Sequence, residues 1–131
     1  MIINSEILDA LIERAKESDR LRMNYDLRNS DSDHSQRMLN AIEPGSTIPI
    51  HRHQTTSETV VILRGHAQEL LFDQSGQTIV EVVDLIPGGE TVAINVPKEQ
   101  WHTVRSMQSG TVIMECKDGK YEPMDPNDVM D

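Results

Sequence analysis

Three histidines and one glutamate of this chain are spaced so that they can bind a divalent metal ion. His51 and His53 are two positions apart, so their imidazoles share one face if the segment is a β-strand. Glu58 follows a short polar turn, and a hairpin there would return it to the two histidines. His102 belongs to a later strand, and strands distant in sequence become neighbours in a β-barrel. The pattern predicts one metal site built from these four residues.

The donor types indicate which metals the site would take. Imidazole nitrogen binds Mn, Fe, Co, Ni, Cu and Zn, and a carboxylate ligand moves the preference towards Mn and Fe. Four protein ligands on an octahedral ion leave two positions for water or substrate, whereas a closed structural zinc site leaves none. We therefore expect one divalent transition metal per chain, Mn or Fe natively, with Ni or Zn as alternatives in purified protein. Glu58 is also a candidate base, if it leaves the metal.

Short apolar runs alternate with turn dipeptides from residue 36 onward. The runs lie near 38–42, 48–52, 59–63, 67–72, 78–85, 91–96, 101–106 and 111–116. Regular short strands at this spacing predict an all-β sandwich or barrel. We expect the barrel to span residues 36–123, with an N-terminal extension at 1–35 and a surface tail at 124–131.

The N-terminal extension begins with a predicted helix. Ser5 or Asn4 can cap it, and it ends by about Ser18, because apolar side chains recur at helical spacing at Ile7, Leu8, Leu11, Ile12 and Ala15. The polar stretch at 19–34 predicts irregular structure. If this extension folds over the barrel mouth, Arg28 or Arg37 is a candidate to bind a substrate carboxylate or phosphate.

Composition excludes several classes of protein. The chain has 131 residues, 12 basic and 22 acidic, with a formal net charge of −10. This charge argues against a broad electrostatic role on nucleic acid or on an anionic membrane. The single cysteine, Cys116, excludes an intrachain disulfide framework. With no signal peptide pattern and no apolar run of membrane-spanning length, the expected location is the cytoplasm.

The spacing around the first three ligands resembles the first motif of the cupin superfamily. That motif reads Gly45, five residues, His51, one residue, His53, four residues, Glu58, six residues and Gly65, and every defined position matches. The two glycines permit turns into and out of the strands. The resemblance implies a single-domain cupin, a double-stranded β-helix or jelly-roll barrel.

The second cupin motif is matched less completely. Pro97 and His102 stand at the expected positions, whereas Thr91, Glu99 and Ser106 replace the two glycines and the asparagine of the family pattern. These departures concern the local turns and leave the ligand His102 in place.

Nearly the whole chain also resembles a narrower group, the WbuC-type cupin-fold metalloproteins. The similar segments are the N-terminal helical segment and the runs at 36–40, 60–65, 97–102 and 117–123. Proteins of this group are small bacterial cupins, often encoded near polysaccharide biosynthesis genes. The resemblance therefore implies a link to surface polysaccharide biosynthesis.

Three functions are compatible with this pattern. The first is a metalloenzyme that uses Lewis-acid chemistry, such as isomerisation or epimerisation, on a small sugar-derived or carboxylated metabolite. The second is an Fe(II)-dependent dioxygenase. The third is a non-catalytic, metal-dependent binding or sensor module. In each case the expected partner is a small molecule, with no nucleic acid and no membrane. A homodimer is also expected, because open sheet edges and an apolar flank need a cover.

Overall fold

Two antiparallel β-sheets form the barrel, and the computed structural model describes residues 1–130. The first sheet has the strand order β1-β2-β8-β3-β6 and the second has the order β5-β4-β7. The bounds are β1 Arg22–Asp26, β2 Gln36–Ile42, β3 Glu58–Arg64, β4 Ala67–Phe72, β5 Ile79–Leu85, β6 Ala93–Val96, β7 His102–Ser106 and β8 Thr111–Lys117. This architecture confirms the prediction of a single-domain, all-β cupin barrel.

The barrel interior between the sheets is apolar over most of its depth. Inward positions alternate with outward ones along each strand, as in Val60 and Ile62 on β3. The interior cluster consists of Ile42, Val60, Ile62, Ala67, Leu85, Val104 and Ile113. The polar inward positions lie beyond this cluster and define the candidate site described below.

The predicted helix is confirmed as α1, Ser5–Glu17. Asn4 is the cap, since its side chain accepts a hydrogen bond from the Ile7 backbone N–H at 3.2 Å. The apolar face of α1 packs on the outer face of the first sheet through Leu8, Leu11, Ile12 and Ala15 against Leu39, Ala41 and Val112. Burying each large side chain stabilises the fold by about 1.5–3 kcal/mol. The helix thus covers the apolar flank within one chain, and the homodimer stays a prediction.

The irregular structure expected at 19–34 is wrong for part of that stretch. Arg22–Asp26 forms the edge strand β1, which pairs with β2 from Arg22 opposite Ile42 to Asp26 opposite Met38. Its side chains are half-buried or exposed, so the strand lacks the apolar alternation that marks a half-buried strand. Backbone pairing with β2 holds it in place, and Met23 adds apolar contact with the cluster under α1.

The run at 48–52 does not form a regular strand. Only His51 makes isolated bridges, one to His102 and one to Val129. The Thr103 hydroxyl donates to the Ile48 carbonyl at 2.7 Å and fixes the start of the segment. Residues 48–53 are therefore an extended segment laid beside β7.

The C-terminal segment is docked rather than lying free on the surface. The Met130 N–H donates to the Ile50 carbonyl at 2.8 Å, and the Arg52 N–H donates to the Asp128 carbonyl at 3.0 Å. Met130 also packs against the outer apolar cluster of Leu70, Phe72 and Trp101. Its partners are distant in sequence, so composition alone did not indicate this docking.

No helix in residues 1–130 is long and apolar enough to cross a membrane.

Substitutions at two glycines test how closely the turn after β3 packs against the start of β8. Gly65 and Gly88 both have positive φ, +78° and +69°. A Cβ on Gly65 would lie 2.7 Å from the Thr111 Cα, whereas one on Gly88 would meet nothing within 4 Å. We expect Gly88→Ala to cost about 1–2 kcal/mol of unfolding free energy, from backbone strain alone. Gly65→Ala should cost about 3 kcal/mol or more. Urea denaturation measures both, and equal losses would contradict the close approach at Gly65.

Candidate metal centre

The four predicted ligands meet at one point inside the barrel. One ligand atom from each of His51, His53, Glu58 and His102 lies within 4.8 Å of the others. Glu58 Oε2 lies 3.2 Å from His53 Nε2 and 3.5 Å from His102 Nε2. The structure thus brings together all four residues on which the predicted metal site depends.

Reciprocal backbone hydrogen bonds set the distance between His51 and His102. The His51 N–H donates to the His102 carbonyl at 3.0 Å, and the His102 N–H donates to the His51 carbonyl at 2.8 Å. Residues paired in this way project their side chains to the same side. Their ring centroids are consequently only 4.4 Å apart.

Hydrogen bonds also orient these two imidazoles. His51 Nδ1 lies 2.8 Å from the Pro49 carbonyl, and His102 Nδ1 lies 2.8 Å from the Gln100 carbonyl. A carbonyl oxygen only accepts, so in both rings Nδ1 carries the proton. Each Nε2 then presents a lone pair to the cluster, which is the form of histidine that binds a metal.

Burial and neighbouring groups keep His51 and Glu58 in the protonation states that bind a metal. Burial lowers the pKa of His51 to about 4, and the neighbouring His102 adds to this shift, so His51 is neutral at pH 7. Burial opposes ionisation of Glu58. Its contacts with His102 and His53 nevertheless hold the pKa of Glu58 well below its usual value. The site therefore combines neutral imidazole and a carboxylate.

Three atoms of the cluster are buried without a hydrogen-bond partner. They are His53 Nε2, Glu58 Oε2 and His102 Nε2. Unpartnered buried polar atoms are costly and rare, and an ion is one of the few explanations for several of them facing one point. A divalent cation would pair with all three at once. The donor set thus fits a transition metal with open coordination positions.

Two further carboxyl groups lie in the barrel interior, and the sequence patterns did not single them out. Glu69 on β4 is 1% exposed, and its Oε2 has no hydrogen-bond partner. Burial raises its pKa well above the usual value, and Glu58 and Glu115 raise it further. Burial and the charge of Glu58 likewise raise the pKa of Glu115 on β8. The alternation along β4 could have indicated Glu69, because this charged residue occupies an inward position between the apolar Ala67 and Leu71.

A cavity of about 440 Å³ opens beside His53. Strand β8 and the C-terminal segment supply much of its wall, including Lys117, Lys120, Tyr121 and Asp128. Its volume is in the range of small-molecule sites. Arg52, which lies between the two histidines in sequence, faces away from the metal as expected and pairs with Asp128 at 2.9 Å. It also stacks on Trp101, with its Cζ 4.6 Å from the ring centroid.

The structure does not bring Arg28 and Arg37 to the metal ligands. They line a separate cavity of about 170 Å³ between β1 and β2. Arg28 is paired with Asp26 at 2.9 Å and Arg37 with Asp33 at 3.3 Å. Their substrate-binding role stays a prediction, and it would require these ion pairs to be shared or broken.

Removal of a ligand should abolish metal binding without unfolding the barrel. We expect His102→Ala to weaken metal affinity by at least about 100-fold, because a direct ligand matters more than the outer residues whose loss costs 10–100-fold. His66→Ala is the matched control, since His66 pairs with Asp84 at 2.6 Å and takes no part in the cluster. Elemental analysis gives the stoichiometry and circular dichroism checks the fold. Full metal occupancy in His102→Ala would refute the ligand assignment.

The buried carboxyl of Glu69 predicts a pH dependence in the metal-free protein. Native Glu69 keeps a proton that the unfolded chain releases above about pH 4.5, so the wild-type chain loses stability as pH rises through this value. We expect Glu69→Gln to become progressively more stable than wild type as the pH rises above about 4.5 in urea denaturation. Glu81→Gln, at an exposed position on β5, should follow the wild-type profile. Parallel profiles for wild type and Glu69→Gln would contradict the raised pKa.

Comparisons with proteins of known structure support the fold. BH2720 from Bacillus halodurans superposes with a TM-score of 0.65 at 17% identity, covering 95% of this chain and 84% of that one. KdgF from Halomonas sp. has a TM-score of 0.60 at 11% identity, covering 77% and 82%. A cupin 2 domain-containing protein from Halorhodospira halophila has a TM-score of 0.61 at 16% identity, covering 79% and 68%. At these identities, the likeness concerns the fold alone.

Sequence comparison gives a family but no curated relative. None of the curated proteins matches the chain. One family model matches residues 3–84, which is more than half of the chain, and it is described as a domain of unknown function, DUF6016. The matched segment contains three of the four candidate ligands, and the structural neighbours show the cupin fold. Because the match covers more than half of the chain, the chain belongs to the DUF6016 family and has the cupin fold.

Proposed function

We propose that this chain is a metal-dependent cupin enzyme that acts on a small sugar-derived or carboxylated metabolite by Lewis-acid chemistry, such as isomerisation or epimerisation. The observation that carries the proposal is the set of three unpartnered buried atoms, on His53, Glu58 and His102, beside a cavity of about 440 Å³. Such a site has ligands for a metal and room for a metabolite. The native metal we propose is Mn or Fe.

Different residues of the site would bind the metal and transfer protons. His51, His53, Glu58 and His102 would hold the ion, which when bound supplies polarisation of a carbonyl oxygen. The low pKa of Glu58 suits a ligand and makes it a weak base. Glu69 and Glu115, whose pKa values are raised by burial, are better suited than Glu58 to hold and transfer a proton. The interior therefore combines a ligand set with two separate proton-holding groups.

Structural neighbours support an enzyme and keep a redox alternative open. They include an oxalate oxidase described in complex with glycolate, with a TM-score of 0.66 at 12% identity, covering 84% of this chain and 57% of that one. That protein acts on a small carboxylated compound. An Fe(II)-dependent dioxygenase is the second candidate for this chain, because the same donor set would also bind iron. The link to surface polysaccharide biosynthesis, a cytoplasmic location and the WbuC-type subgroup remain predictions from the sequence.

Metal identity and turnover test the proposal together. The protein is purified without a nickel column from cells grown with balanced metals, and elemental analysis should find about one Mn or Fe per chain. The Mn and Fe forms are then assayed with sugar phosphates, keto acids and nucleotide sugars, with and without oxygen. We expect isomerised or epimerised product independent of oxygen. Stoichiometric zinc as the sole metal would count against Mn or Fe.

Two other results would replace the reaction that we propose. Turnover that requires both Fe(II) and oxygen would identify a dioxygenase. Measurable binding without turnover across the panel would identify a binding or sensor module. The apoprotein and Glu58→Gln serve as negative controls for every substrate.

A further inference from the structure

Lys117 lies directly beside the metal ligands, although it is not one of them. It is the last residue of β8, and its Cα pairs with Glu58 on β3 on one side and with Gln36 on β2 on the other. Directly opposed residues of antiparallel strands project to the same face, with Cβ atoms about 4.5–5.5 Å apart. The Lys117 side chain therefore projects into the barrel mouth next to Glu58, and it lines the same cavity as His53.

In residues 1–130, the ammonium groups at this mouth form no close ion pair, and the charge of Lys117 acts at longer range to lower the pKa values of Glu58 and Glu115. Lys117 is half-buried, and Lys120, three residues later, lines the same cavity. Within residues 1–130, neither lysine has a carboxylate oxygen within 4.0 Å. A half-buried ammonium that faces a cavity is stabilised by an anion that enters it.

The acidic groups of the cavity wall are directed elsewhere. Asp128 accepts hydrogen bonds from Arg52 Nε at 2.9 Å and from Gln54 Nε2 at 2.7 Å. The Asp125 carboxylate accepts from the Asn127 N–H at 2.8 Å and caps the short 3₁₀ turn. The third acidic group, on Glu122, is exposed to solvent. Lys117 and Lys120 are thus the cationic groups of this wall that form no ion pair within residues 1–130, because Arg52, which also lines the cavity, is paired with Asp128.

We propose that Lys117 and Lys120 form an anion-binding subsite, which holds a carboxylate or phosphate group of the small molecule whose other oxygen atoms bind the metal. This inference rests on the proposed function, because it assigns the substrate class of the same cavity. It transfers to these lysines the anion-binding role that the sequence suggested for Arg28 and Arg37. Lys117 is the principal contact, because it is half-buried and adjacent to Glu58, whereas Lys120 is exposed.

Calorimetric titrations of the metal-loaded protein with inorganic phosphate and with malonate, at low ionic strength, test the subsite. We expect Lys117→Gln to weaken binding of the preferred anion about tenfold or more, since a charge-assisted hydrogen bond is lost. Lys120→Gln should weaken it about threefold. Lys117→Arg should retain most of the affinity, and Lys16→Gln on α1 is the surface control. The two probes distinguish a phosphate from a carboxylate ligand.

Two further measurements separate the subsite from the metal site. Metal stoichiometry should be unchanged in every lysine variant, and binding of imidazole, a neutral metal ligand, should be the same in Lys117→Gln as in wild type. Unaltered anion affinity in metal-loaded Lys117→Gln would overturn the subsite and leave the proposed function standing. Failure of the unsubstituted chain to bind metal would overturn the proposed function. Titrations of the apoprotein would then test the lysines alone. The expected result is anion binding that is weaker than in the metal-loaded protein and that still requires Lys117.

Discussion

The reciprocal backbone hydrogen bonds between His51 and His102 are the interaction on which the candidate site depends. They attach the extended segment 48–53 to β7 and place two imidazoles 4.4 Å apart between their ring centroids. Neither residue could be moved without breaking a pair of buried backbone contacts, so the ligand geometry is tied to the stability of the sheet. The candidate metal centre is therefore part of the barrel framework rather than an attachment to it.

Alternation along the same segments explains how the site is supported from outside. His51 and His53 point inward, and Arg52 between them points outward, where it lies over Trp101 and pairs with Asp128. Trp101 likewise precedes the inward His102. The outward residues thus hold together segment 48–53, the start of β7 and the C-terminal segment. These outward contacts hold the backbone in place, so that the candidate ligands between them point inward. A cavity remains beside His53.

Three carboxyl groups lie in a barrel interior that is mostly apolar, and their pKa values are shifted in different directions. Glu58, Glu69 and Glu115 come from three strands of both sheets and approach one another where water is excluded. Burial, and then the charge of the neighbouring glutamates, raises the pKa of Glu69 and Glu115, whereas contacts with His102 and His53 outweigh burial and lower the pKa of Glu58. An interior with one carboxyl group of lowered pKa and two of raised pKa offers distinct groups for metal binding and for proton transfer.

The sequence by itself determined the barrel, helix α1 and the four candidate ligands, because the period of apolar residues and the spacings from Gly45 to Gly65 and from Pro97 to His102 are local properties of the chain. It did not indicate β1, whose place depends on pairing with β2 and not on an apolar pattern. It also did not reveal Lys117 beside Glu58 or the docking of Asp128 on Arg52, since these contacts join residues 59 and 76 positions apart. Tertiary structure alone decided which charged groups share a cavity with the candidate ligand His53, because strand register, and not sequence distance, sets which side chains face one another.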